Sequence, residues 1–218
     1  MNRPSPKRLL YPAACAVLCA AMLALGGCMQ ATQAIVMRHY DLGAMSAGSG
    51  ENQATPRRAK ILQVARISVP EWLAGTDMYY RLDYRDDRRL AAYAHSDWIA
   101  PPAALLETIV RRALAADGGW RAVTGPRDPA NADATLHLRL DDFSQAFPQP
   151  EHSFGVIDVT ATLIDNHTGR VVAQRHFHVK AAAPTPDAQG GVEALADASR
   201  RLAAQLQDWL QTAAKTSG

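Results

Sequence analysis

The sequence predicts a single α+β domain, a mostly antiparallel sheet with two amphipathic helices packed on it. Three observations carry this: several segments alternate apolar and polar residues with period two, two pairs of such segments are joined by polar turns, and two stretches repeat apolar residues at helical spacing. Ala34–Leu42, with Ile35, Val36, Tyr40 and Leu42, reads as a first strand. Residues 43–58 are rich in Gly, Ser and Ala and lack periodicity, which predicts a loop. Lys60–Val69 reads as a central strand covered on both faces, with Ile61, Ala65, Ile67 and Val69 on one side, Leu62 and Val64 on the other, and Pro70 ending it.

Asp77–Tyr84 and Leu90–Ile99 are rich in aromatics and flank the polar run Asp86-Asp87-Arg88-Arg89, a hairpin pattern. Pro101-Pro102 suits a helix start, because the missing N–H costs nothing in a first turn. The stripe Leu105, Leu106, Ile109, Val110, Ala113, Leu114 follows, and Gly118-Gly119 stops it. Trp120–Val123 reads as a short strand and 125–132 as a turn-rich connection. In Ala134–Phe143, Leu136, Leu138 and Leu140 alternate with His137, Arg139 and Asp141, giving one dry and one wet face. Gly155–Ile164 and Val171–Val179 form a second hairpin around Asp165-Asn166-His167-Thr168-Gly169. After a loop over 181–191, a second helix is expected from Val192 to Ala213, with Val192, Leu195, Leu202, Leu206 and Trp209 on its buried edge.

The N-terminus has a separate logic. Arg3, Lys7 and Arg8 precede an apolar stretch that closes on Leu25-Gly26-Gly27-Cys28, the layout of a secretory signal. A cysteine after two small residues, with leucine three before it, resembles the bacterial lipobox. The resemblance implies cleavage between Gly27 and Cys28, a diacylglyceryl thioether on Cys28, and an N-acyl chain on its freed amino group. An ordinary signal with an incidental cysteine is the other reading. The expected organisation is a signal peptide over 1–27, a lipidated tether over 28–33 and one domain over 34–214. Met29 stands where an aspartate usually retains Gram-negative lipoproteins in the inner membrane, so the resemblance implies an outer-membrane, periplasm-facing location.

Processing changes the composition. The 23 basic and 21 acidic residues give +2, but three basic residues leave with the signal, so the mature chain holds 20 against 21. A near-neutral domain gives no basis for nucleic-acid binding, which needs a basic face. Cys15 and Cys19 also leave, and a lipidated Cys28 leaves no thiol for a disulfide, a cysteine nucleophile or a zinc–thiolate site.

Chemical motifs are sparse. His176 and His178 share one strand face, a spacing that can hold a metal but needs a third ligand, and the simpler reading is two exposed imidazoles. Neighbouring Asp141 and Asp142 point to opposite strand faces, against a facing acid–base pair. Ser46 and Ser49 have no identifiable base. No phosphate-binding glycine loop, nucleophile elbow or zinc-protease motif is present. No catalytic residue, metal or cofactor other than the covalent lipid is expected, and an envelope hydrolase is the minority reading. Arg81 can stack on aromatics, pair with a carboxylate, or stand solvated. Trp98 with Pro101-Pro102 either packs under the helix entry or belongs to a docking surface.

Tyr40-Asp41-Leu42-Gly43, then Met78-Tyr79-Tyr80-Arg81, Leu90, Tyr93-Ala94, Trp98 and Pro101-Pro102 leading into Leu105-Leu106, resemble the ABC-type transport auxiliary lipoproteins, PqiC-like proteins among them. The resemblance covers most of residues 34–212 and is most specific from Met78 to Leu106. It implies a non-enzymatic lipoprotein that assists intermembrane phospholipid transport and envelope integrity. The implied partners are a periplasmic protein with a mammalian-cell-entry (MCE) domain and, through it, an inner-membrane ABC permease and ATPase. Arg81, Tyr93, Trp98 and Pro101 become the candidate partner-binding residues. A homo-oligomeric ring stays open, as does a pilot or scaffold role in another envelope complex.

Overall fold

The computed structural model describes residues 36–43 and 59–213. Every described strand and helix belongs to the unit Met37–Gly218. Cys28, the Gly27–Cys28 cleavage point, Ser46, Ser49 and most of the 43–58 loop lie outside the described residues.

The described elements are β1 (Arg38–Tyr40), β2 (Ile61–Val64), a 3-10 turn (Glu71–Leu73), β3 (Asp77–Arg81), β4 (Leu90–Trp98), α1 (Pro102–Ala116), β5 (Ala122–Thr124), β6 (Ala134–Gln149), β7 (His152–Asp165), β8 (Val171–Ala182) and α2 (Ala188–Ala213). They form one mixed eight-stranded sheet in the order β1-β4-β3-β6-β2-β5, with β7 on the other side of β6 and β8 beyond it. The two helices pack on this sheet and on each other, which is the expected α+β class. Antiparallel pairing dominates by length, in β6–β7 and β7–β8, and β3–β4 is the expected aromatic hairpin. The short pairings β1–β4, β2–β5, β2–β6 and β3–β6 are parallel.

Strand β6 organises the rest. Its start, Ala134–Leu136, carries β2, and its later part, Ser144–Ala146, carries β3 on the same edge. The chain between them runs along β6: the Ala65 N–H donates to Leu136 O, the Ser68 N–H to Leu138 O, and the Leu140 N–H to Ser68 O. The expected strand over Lys60–Val69 is therefore regular only to Val64, with a single bridge at Ser68. Its buried residues switch from Leu62 and Val64 to Ile67, which breaks the alternation.

Leu136, Leu138 and Leu140 of β6, with Ile157, Val159, Ala161 and Leu163 of β7, form the dry face. Leu106, Ile109, Val110, Ala113 and Leu114 of α1 and Leu195, Leu202 and Leu206 of α2 complete the core. Pro102 occupies the first turn of α1, and Gly118, at φ +65°, lets the chain leave it. Helix α2 starts four residues before the expected Val192. The Asp187 carboxylate accepts the Gly190 N–H at 2.8 Å, an N-cap that overrides the loop-like reading of Gly190-Gly191. A Cβ on Gly191 would collide with Gln145, so glycine lets the helix approach the sheet there. Among the described residues no helix is long and apolar enough to cross a membrane.

Candidate functional site

The candidate partner-binding residues occupy separate places. Arg81, at the end of β3, turns to β6 and its Nη1 lies 3.0 Å from Asp142 Oδ2. Of the three readings of this arginine, pairing with a carboxylate is the one realised. Burial pushes the Asp142 carboxyl up, and the Arg81 guanidinium opposes that shift.

Tyr93, on β4, belongs to the helix side. Its hydroxyl donates to Gln145 Oε1 at 2.7 Å, and Gln145 Nε2 donates to Ser153 Oγ at 2.8 Å. Its ring packs on Tyr80 at 4.7 Å between centroids. Burial is the main force pushing the Tyr93 hydroxyl pKa upward, so the group stays a donor across the physiological range. Gln145 and Ser153 carried no signal in the sequence, because polar residues in a strand read as solvent-facing.

Of its two readings, Trp98 takes the packing one, not the docking one. It is 1% exposed, stacks edge-on against Phe143 at 5.5 Å, and its backbone N–H donates to Thr76 O. It cannot present its indole to a partner, because the end of β4 is enclosed by β1 and the helix entry. Its role is the packing one.

Pro101 is exposed and borders a cleft of about 510 Å³. The cleft lies between the segment after β2, the first half of α1 and the loop before β6. Arg66, Arg111 and Arg127 line it with Glu107 and Asp128, over an apolar floor that includes Ile67, Val69, Ala103 and Ala104. Gly125-Pro126-Arg127-Asp128 makes its outer wall as a tight turn. The Asp128 N–H donates to Gly125 O, and Asp128 Oδ2 accepts the Gly125 N–H at 2.5 Å. The Arg111 guanidinium lies against Gly125, in space that a Cβ would take. Among the described residues, none of the three arginines is in an ion pair. Arg66, Arg111 and Arg127 have no common spacing, and only the fold brings them together.

The remaining titratable clusters are local. His176 and His178 both face Asp158, with His178 Nδ1 at 2.6 Å and His176 Nε2 at 3.5 Å from its Oδ1. Among the described residues no group of three or more metal-ligating side chains is placed to hold an ion. Asp141 meets Arg139 at 3.0 Å, and Asp86 accepts the Arg88 N–H within its turn. The arrangement offers binding surfaces: an arginine-lined cleft, and an exposed polar strip on β6–β8.

The family model of the ABC-type transport auxiliary lipoprotein component matches residues 40–207. The chain belongs to this family. The match begins at Tyr40, the last residue of β1, and runs through most of α2, so it includes the cleft, the Arg81–Asp142 pair and the Tyr93 network. No curated protein matches the chain. Among solved structures, a Xanthomonas campestris protein described under the family model DUF330 is similar at 22% identity and a TM-score of 0.67, covering 84% of this chain and 95% of its own. A second crystal structure, of an uncharacterized protein, has 18% identity and a TM-score of 0.63, covering 80% and 99%. Both share the fold of this transport auxiliary lipoprotein.

Proposed function

We propose that this protein is the lipid-anchored outer-membrane auxiliary component of an ABC-type system that moves phospholipid between membranes through an MCE-domain partner. Membership of the transport auxiliary lipoprotein family over residues 40–207 carries the reading. The signal over 1–27 is removed, Cys28 receives a diacylglyceryl and an N-acyl group, and residues 28–33 tether the domain over 34–214. Three acyl chains exceed the two signals that stable anchoring requires. Met29 favours the outer membrane, with the domain on the periplasmic face. The protein then works by docking, not catalysis, and the partner ATPase supplies the energy. A homo-oligomeric ring suits a partner that is itself a ring assembly. Of the predicted docking set, Pro101 is the exposed member, while Arg81 is held by Asp142 and Tyr93 by Gln145.

Two measurements test this. Affinity capture of the full-length acylated protein from chemically cross-linked envelopes is expected to recover an MCE-domain protein with its permease and ATPase. Recovery of a different envelope machine, with normal detergent resistance in the deletion strain, would replace this reading with a pilot or scaffold role. Cys28→Ser is expected to release the protein from the outer-membrane fraction; its retention there would remove the anchor from the proposal.

A further inference from the structure

We propose that the cleft beside Pro101 binds the headgroup of a zwitterionic phospholipid, with its phosphate on Arg66, Arg111 and Arg127 and its ammonium on Glu107. The proposal rests on the lipid-transport reading above and adds a site and a ligand chemistry to it. Its volume of about 510 Å³ lies within the range of small-molecule sites. The three guanidinium groups come from three separate parts of the chain and have no acidic partner among the described residues. Three positive residues lining one concave site favour an anion there, and the guanidinium fork matches two phosphate oxygens.

The acidic residues sharpen the choice of ligand. Asp128 is committed to its own turn, accepting the Gly125 N–H. Glu107 lies one helical turn before Arg111, yet makes no ion pair with it, which leaves its carboxylate for a cation. Ile67, Val69, Ala103 and Ala104 supply apolar wall for the glycerol and the first methylenes. A phosphate diester with an ammonium arm satisfies all of these groups together. An acidic protein segment fits less well, because protein partners bury on the order of 800 Å² per side on flatter surfaces.

The test uses the full chain in its own membrane. A benzophenone amino acid is placed at Ala104, exposed in the cleft, or at Gln174, exposed on β8, in cells grown with radioactive phosphate. After irradiation, lipid-borne label is expected on the protein at Ala104 well above that at Gln174. The double variant Arg66→Gln/Arg127→Gln, two exposed positions, is expected to lower it about tenfold with the melting temperature retained. Glu107→Gln is expected to reduce adducts with ammonium-bearing headgroups and to spare adducts with purely anionic ones.

Equal label at both positions overturns the proposal, and so does a cross-link to a protein in place of lipid. Benzophenone inserts into C–H bonds, which inorganic phosphate lacks. A phosphate-dependent rise in the melting temperature of the purified full-length protein, lost in the double variant and without lipid adducts, would assign the cleft to free phosphate and overturn the lipid proposal. Envelope capture separates the two readings: recovered transporter components with no lipid at Ala104 would sink the site and leave the transport role standing.

Discussion

From Leu136 to Leu140, β6 keeps a strict alternation, with Leu136, Leu138 and Leu140 against the helices and His137 and Arg139 in solvent. From Asp142 to Phe147 nearly everything is buried, whichever face it occupies. The change falls at a bulge: Leu140 pairs with Val159 and Asp142 with Asp158, leaving Asp141 as the extra residue. Beyond it, β3 joins the edge of β6 and brings Arg81 onto Asp142 and Tyr79 into register with Ser144. On the helix side, the Gly190-Gly191 start of α2 comes down onto Gln145. The first half is an amphipathic strand with one wet face. The second is an enclosed strand in which Asp142 meets Arg81 and Gln145 meets Tyr93 and Ser153, while Ser144 Oγ is buried without a hydrogen-bond partner among the described residues.

The largest effect that tests this contrast is in the first half. Leu138→Ala is expected to destabilise the fold by about 2–5 kcal/mol, from lost burial and the cavity left between sheet and helices. The neighbouring His137→Ala, on the exposed face, is expected to stay within about 0.5 kcal/mol. Urea unfolding of both variants measures the difference, and similar losses would show that the wet face is covered.

Across the bulge, charge replaces volume. Arg81→Met leaves the buried Asp142 carboxylate without its counter-ion, at an expected cost of about 1.5–3 kcal/mol at neutral pH. Because burial raises the Asp142 pKa in the folded state, the native form holds that proton to higher pH than the unfolded chain does. Its contribution to stability therefore falls as pH rises from the ordinary aspartate range through the folded value. Asp133, Asp165 and Asp187 have the opposite sign. Backbone N–H donors hold their carboxyls low, so their contribution is present above the ordinary range and is lost as pH falls. Denaturation at a series of pH values should show Asp142→Asn gaining on the native protein across the Asp142 window, and Arg81→Met losing more there. Parallel curves for all three would mean that Asp142 is solvated.

The same boundary marks how far the sequence could be read. The 136–140 alternation, the 165–169 turn, both helical stripes and the Pro101-Pro102 entry were legible, because each is a local pattern of residues within one element. The second half of β6 was not. Ser144, Gln145, Pro148 and Gln149 fall after the expected strand end at Phe143, and the partners of Gln145, namely Tyr93, Ser153 and Gly191, lie on other elements. The irregular run after Val64 follows β6 through backbone hydrogen bonds, which side-chain periodicity does not report. Of the candidate site, Pro101 was visible as a helix start, but the arginines around it were not. Sequence distance hides a cleft that only parallel pairing of β2 with β5 and β6 assembles.

Gly155 tests the close approach on the helix side. It pairs with Gln145, and a Cβ there would stand 2.6 Å from the Leu195 backbone nitrogen and 2.7 Å from the Ala194 carbonyl carbon. These are backbone atoms of α2, so the helix itself has to shift. Gly155→Ala is expected to cost about 1–3 kcal/mol. A neutral result would mean that α2 stands off the second half of the sheet.

The smallest effect is the most specific. Tyr93→Phe keeps the ring against Tyr80 and removes only the hydroxyl that donates to Gln145 Oε1. Gln145 is fully buried, so its oxygen has no water to turn to, and the expected loss is about 1 kcal/mol. Combining the change with Gln145→Met removes both ends of the bond. The double variant should then cost less than the sum of the singles, with a coupling of about 0.5 kcal/mol or more. Additive losses would show that the hydroxyl and the amide act independently. The second half of β6 would then be closed by apolar packing alone, and its buried polar residues would need another explanation.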